Sequence, residues 1–188
     1  LVQAEDENAH RLRYYQGYHD VACIFLTTLA SGSTPMPPQQ SHQQQSTLTT
    51  PPALQLPARV LYQVSQTQLR DYLKDNFMDL QTALRLTVFP MLAYLAPLLH
   101  DHLYHAEMEP FFCLSWVITW FAHEIRDSAL VKRLFDAFLV GHPLLPLYLS
   151  IAMVVHPINR QIVLETEADF AILHQTLRGL PRNSSMVG

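Results

Sequence analysis

Between a charged N-terminal stretch and a long apolar run, Tyr14-Tyr15-Gln16-Gly17 sets one carboxamide between two aromatic rings and a glycine. A glutamine amide donates and accepts hydrogen bonds at once and does not titrate. It is a poor base and a poor nucleophile, but it can hold a water molecule while touching an anionic oxygen. Phosphoryl hydrolysis asks for that service, because its catalysis is mostly positioning and charge stabilisation. Gly17 has no side chain, so another molecule's backbone can approach it closely, and Tyr14 and Tyr15 can brace the loop. A polar residue in a helix-entry loop accounts for the same residues without any chemistry, and at this point both readings stand.

Other groupings are weaker. His100, His102 and His105 cluster with Asp101 and Glu107, but only His102 and His105 share a helical face, and no HExxH motif accompanies them. No metal is assigned, and the histidines read as exposed groups at a helix end or turn. Trp116 and Trp120 are i, i+4 neighbours in an apolar segment and read as core. Arg133 and Asp136, at i, i+3, are spaced for an ion pair. Ser115 and Ser128 have no visible His/Asp arrangement that would activate a nucleophile. Cys23 and Cys113 stand far apart with no CxxC, which fits a reduced, cytosolic setting.

The elements that must position these groups are helical. The chain has 188 residues, 49% of them hydrophobic and 15% charged, enough for one sizeable core. A net charge of -4 argues against nucleic-acid binding through a basic face. The longest apolar runs, Leu86–Leu99 and Phe111–Ala122, fall short of the roughly 20 residues of a membrane span and read as buried helices. No segment alternates with a two-residue period between turn signals. The expectation is an all-α fold of about seven or eight helices.

Tyr18, Val21, Ala22, Phe25, Leu26 and Leu29 form one apolar stripe, with Asp20 in the first turn, where a negative charge suits the helix dipole. From Ser31 to Pro57 the chain holds six prolines and six glutamines. That composition cannot bury a core and reads as a disordered insertion over 31–58, with order resuming at Arg59. Ser65 and Gln68 have the form of a capping box, opening a helix with Leu69, Tyr72, Leu73 and Phe77 on one face. Pro90 and Pro97 must kink or break the next apolar segment. Phe111–Ile125 reads as the central buried helix. Ser128 is expected to cap another, with Leu130, Val131, Leu134, Phe135, Phe138 and Leu139 inward and Gly141 as its stop. Leu144–Val155 follows, then a last helix capped by Thr166, with Phe170, Leu173 and Leu177 inward and Gly179 past its end.

Tyr14-Tyr15-Gln16-Gly17 resembles the YxQG motif of TBC domains, the helical GTPase-activating domains for Rab GTPases. Leu114–Ile125, LSWVITWFAHEI, and Val131–Tyr148, VKRLFDAFLVGHPLLPLY, are similar to that family's later core segment. The long form YYQGYHD, the pair LRDY (Leu69–Tyr72) and the SWVITWF run resemble most closely the branch of Rab GAPs anchored in the endoplasmic reticulum. The likeness covers nearly the whole chain outside the insertion.

The resemblance implies a multi-helix TBC-type domain over 1–181, interrupted by 31–58 and followed by a tail at 182–188. It implies a dual-finger mechanism at the nucleotide site of a Rab partner. An arginine from an IxxDxxR motif would stabilise transition-state charge, and a glutamine from YxQG would orient the attacking water in place of the GTPase's own glutamine. By position Gln16 is the glutamine finger, Tyr14, Tyr15 and Gly17 are its supporting motif, and Asp20 orders the finger loop. Trp120, Arg133 and Asp136 fall on structural motif positions. GTP and Mg²⁺ would belong to the partner, with no cofactor of the chain's own and no nucleic acid involved. No IxxDxxR motif occurs in LVQAEDENAHRLR, and Arg11 and Arg13 are too close to Gln16 to stand for it. The expectation is a piece lacking the domain's first helices and its arginine finger, weakly active alone and marginal in stability. Its place would be cytosolic, on endoplasmic reticulum or Golgi membranes, held there through segments outside these residues.

Overall fold

A computed structural model describes residues 12–30 and 51–183. The insertion expected over 31–58 lies mostly outside the described residues, as does the tail beyond 183. The first helix, α1 (Tyr18–Leu29), buries Val21 and Phe25 and carries Asp20 in its first turn. Leu26, counted on the same stripe, lies exposed.

The second helix, α2 (Pro52–Gln66), starts at Pro52 rather than at Arg59. Pro52 takes the first helical position, where a missing N–H costs nothing, so the end of the Pro-rich stretch initiates a helix instead of delaying one. The capping box at Ser65 is not formed. Ser65 sits in the last turn of α2, donates to the Leu61 carbonyl at 2.7 Å and meets Tyr18 Oη at 2.7 Å. Gln68 instead donates its amide to the Leu139 carbonyl at 3.3 Å. The chain then tightens into a 3-10 turn, Arg70–Leu73, which buries Tyr72 and Leu73 just after the buried Leu69.

The third helix, α3 (Met78–Leu95), runs through Pro90. Pro90 and Leu86 lie on its exposed side, so the carbonyl that the proline leaves unpaired can meet water. The break comes at Ala96, with φ −149°, and Pro97 opens α4 (Pro97–His105).

Phe111–Ile125 is buried as expected but is not one helix. A 3-10 turn, Pro110–Cys113, leads into the short α5 (Leu114–Ile118), and turns follow. Trp120 and Phe121 adopt φ 50° and 63°, a left-handed conformation that L side chains enter only when their surroundings fix it. Packing supplies that constraint. Trp120 meets Phe135 and Phe138 edge-on, and Phe121 packs on Trp116 and Phe138.

The next helix, α6 (Ser128–Val140), is capped by Asp127, one residue before the expected Ser128. Its Oδ1 accepts from the N–H groups of Ala129 and Leu130. Asp127→Ala should cost about 1 kcal/mol, the usual worth of such a cap, and thermal unfolding should show it as a Tm loss of roughly 2–4 °C. Arg133 and Asp136 are both exposed on α6, and no ion pair joins them. Gly141 ends α6 without a left-handed turn, at φ −86°. It is needed for space: a Cβ there would lie 2.7 Å from the Ala137 carbonyl oxygen and 2.8 Å from Leu145 Cδ2.

The remaining helices are α7 (Leu145–Val155), α8 (Pro157–Glu165) and α9 (Phe170–Asn183). The sequence reading had no place for α8. Thr166 donates its hydroxyl to the Ile162 carbonyl at the end of α8, and the cap of α9 is Asp169, which accepts from Ala171 and Ile172. Gly179 lies inside α9, not beyond it.

The described residues hold nine α-helices and no strand, an all-α fold. α1 packs on α2 and α6, α3 on α4 and α7, and α7 on α5, α8 and α9. One core cluster joins them, with Trp116, Trp120, Phe121 and Phe138 among its largest buried side chains. No single described helix is long and apolar enough to cross a membrane. α7 and α8 reach that length only as a pair bent by 63°, and α7 buries Leu147, Ile151 and Val154 in the core.

Candidate functional site

Arg13 to Gly17 form a turn that leads into the first turn of α1, Tyr18 to Asp20, and lies over the end of α5 and the irregular segment after it. Tyr15 is its anchor. Its ring is buried edge-on against Tyr18 and Phe77, and its hydroxyl donates to the Ile118 carbonyl at 2.6 Å. Burial, with smaller contributions from Tyr72, Tyr18 and Asp20, holds this phenol well above its ordinary pKa, so it remains a donor. Tyr15→Phe removes that donor and leaves a buried carbonyl short of a partner, at a cost of about 1–3 kcal/mol. Chemical denaturation should show the loss as a lower midpoint with an unchanged slope.

Gly17 is the second anchor. It is buried at φ 106°, and a Cβ there would lie 2.8 Å from Thr119 Cγ2. Only glycine meets both conditions, the positive φ and the close approach. Thr119 is itself fixed, donating its hydroxyl to the Ser115 carbonyl at 2.7 Å. Asp20 is the third anchor: Oδ2 lies 3.0 Å from His123 Nδ1 and Oδ1 3.6 Å from His19 Nε2. His19 Nδ1 pairs in turn with Tyr14 Oη at 3.0 Å, and the exposed Tyr14 ring stands edge-on to Tyr18. Before the turn, the Arg13 N–H donates to the Leu73 carbonyl at 2.7 Å, and its side chain pairs with Asp75.

Between these anchors Gln16 is exposed, and its carboxamide makes no hydrogen bond to the described residues. The backbone under it is held on both sides, while no described residue engages the amide. Such a group can present a donor and an acceptor to another molecule with its backbone already ordered, so that only its side-chain rotamers remain to be fixed.

Thr119, Ile118, His123 and Tyr18 belong to this arrangement, and the sequence reading did not find them. Ile118, Thr119 and His123 meet the turn from about a hundred residues further along the chain, and no local motif signals that approach. The predicted site residues do not all converge. Tyr14, Tyr15, Gln16 and Gly17 share the turn, with Asp20 beside them in the first turn of α1. Trp120 lies in the supporting segment, in the core, and Arg133 and Asp136 face solvent on α6.

The histidine group does not converge either. His102 Nε2 meets the Thr166 carbonyl, His105 Nδ1 the Asp101 carbonyl, and His100 Nδ1 the Asp101 carboxylate. Among the described residues no three His, Cys, Asp or Glu side chains gather as a metal set.

The Rab-GTPase-TBC domain family matches residues 6–161. The match takes in the turn, its supporting segment and helices α1 to α7, and the chain belongs to that family. Among curated proteins, it is similar to TBC1 domain family member 20 of Bos taurus and of Homo sapiens, each 32% identical over 177 residues, 94% of this chain and 38% of the relative. It is also similar to GTPase-activating protein gyp10 of Schizosaccharomyces pombe, 33% identical over 173 residues, 90% of this chain and 39% of the relative. The chain thus spans well under half the length of these relatives.

Proposed function

We propose that this chain carries the glutamine finger of a Rab GTPase-activating domain, with Gln16 as the finger. The supporting observation is the contrast at Gln16: an exposed amide with no hydrogen bond to the described residues, on a backbone pinned by Tyr15, Gly17 and Asp20. Gln16 would enter the nucleotide site of a Rab and orient the hydrolytic water. The bond broken is in the partner's GTP, so the chain activates a hydrolase and is not one. GTP and Mg²⁺ come with the partner, and the chain needs no cofactor. Location on the cytosolic face of endoplasmic reticulum or Golgi membranes is part of the same reading, supported by the resemblance to the anchored branch of the family.

An arginine finger contributes about 10³- to 10⁵-fold in rate. No IxxDxxR motif occurs in these 188 residues, so the chain alone should be a weak activator. The same fact favours one second reading, a Rab-binding scaffold without catalysis. Single-turnover GTP hydrolysis by a panel of Rab proteins separates the two, with this chain and an N-terminally extended protein side by side. Stimulation by the extended protein alone supports the dual-finger reading. Binding by both folded proteins without stimulation supports the scaffold.

A further inference from the structure

The segment that holds the Gln16 turn is itself irregular, and one charge pair ties it to the far end of the chain. Glu124 is a fully buried carboxylate. Its Oε1 accepts from Ser115 Oγ at 2.9 Å, and its Oε2 lies 3.1 Å from Arg182 Nη2 in the last turn of α9. Oε2 has no aligned hydrogen bond, so the Arg182 contact is one of charge. A buried carboxylate requires such a partner. Glu124 lies three residues after Phe121, the second of the left-handed pair Trp120 and Phe121, and a backbone of that kind persists only where several contacts fix it. Ile118, Thr119 and His123, just ahead of Glu124, are the residues that touch Tyr15, Gly17 and Asp20.

We infer that Glu124 and Arg182 are positioning residues for the Gln16 turn, locking the Ser115–Glu124 segment in the shape that seats it. The catalytic consequence rests on the reading of Gln16 as a finger, whereas the mechanical coupling does not. With Arg182 removed, Glu124 is left buried and uncompensated. The segment must then open or shift, and the turn loses its seat. Misplacing a reacting group by about 1 Å can cost up to ~10²-fold in rate.

Two measurements test the coupling together. The first is amide hydrogen exchange on this chain, comparing the native protein with Arg182→Met and Arg182→Lys. The Tyr18 and Asp20 amides, bonded to the Tyr15 and Gly17 carbonyls, and the Phe121 amide, bonded to the Trp116 carbonyl, are the probes. Arg182→Met should speed exchange at all three and leave the interior of α6 unchanged. Arg182→Lys keeps the charge and should restore protection. The second measurement is GTP hydrolysis with the extended protein, where Arg182→Met should lower kcat by about 10- to 100-fold with KM little changed.

If Arg182→Met does not fold, Ser115→Ala withdraws only the hydroxyl from Glu124 and should give a smaller rise at the same amides. Unchanged protection at Tyr18 and Asp20 in the folded variant overturns the coupling, and so does a rise spread evenly over all helices. A normal rate with Gln16→Ala would defeat the finger reading and leave the exchange result to judge the coupling on its own.

Discussion

Replacing Gln16 with alanine in an N-terminally extended, active protein should lower the stimulated GTP hydrolysis by Rab about 10²- to 10³-fold, the usual effect of removing one transition-state donor. Stability should hardly change. The side chain is exposed and makes no hydrogen bond to the described residues, and surface substitutions of this kind stay within roughly 0.5 kcal/mol. The fall should appear in kcat, because the amide acts on the water and the developing charge rather than on Rab docking. A variant with reduced Tm, or with KM alone raised, would point to a structural or docking role instead.

The second large effect concerns Gly17. In Gly17→Ala the new residue must hold φ 106° and place Cβ 2.8 Å from Thr119 Cγ2. Backbone strain of this kind costs about 1–3 kcal/mol, and relieving the overlap means moving Thr119 or the turn. At roughly 2–4 °C of Tm per kcal/mol for a chain of this size, calorimetry should register a clear loss. Activity of the extended protein should fall too, since Gln16 is the adjacent residue. The double variant Gly17→Ala/Thr119→Ser keeps the hydroxyl bonded to Ser115 and removes the methyl. It should recover the part of the loss that comes from overlap and none of the part that comes from φ. If the double variant is no more stable than Gly17→Ala, the close approach to Thr119 does not explain the glycine.

The sequence carried the all-α character, which depends on period and apolarity, and the place of the turn, which its residue types mark. It did not tell the buried Tyr15 from the exposed Tyr14, nor that Gly17 is closed off by Thr119 of the same chain rather than open to another molecule. It carried less where tertiary contacts decide. Phe111–Ile125 is apolar all round, and apolarity reports burial rather than backbone path. The aromatic packing of Trp120 and Phe121 bends the segment where a continuous helix was expected. Ser65 and Gln68 have the spacing of a capping box, yet their hydroxyl and amide go to Leu61, Tyr18 and Leu139, two of them distant in sequence. Caps at Asp127 and Asp169 displaced the nearby Ser128 and Thr166 because a carboxylate is the stronger acceptor for helix N–H groups. α8 carries a modest apolar face, with Val163 buried and Ile158 exposed, so its periodicity was faint. In the turn, Gln16 and Gly17 stand out by residue type alone. Their supports Ile118, Thr119 and His123 did not, since an ordinary carbonyl, methyl and imidazole acquire their roles only through the fold.

The most direct test of Gln16 as a substitute for the GTPase's own glutamine uses a Rab in which that glutamine has been changed to alanine. Single-turnover hydrolysis would be measured with the extended protein and with its Gln16→Ala variant. If Gln16 orients the water, the altered Rab is still stimulated by the unmodified protein and not by the variant. If instead the altered Rab goes unstimulated while the Gln16→Ala variant still activates an unaltered Rab, the water is held by the GTPase, and Gln16 is not the finger.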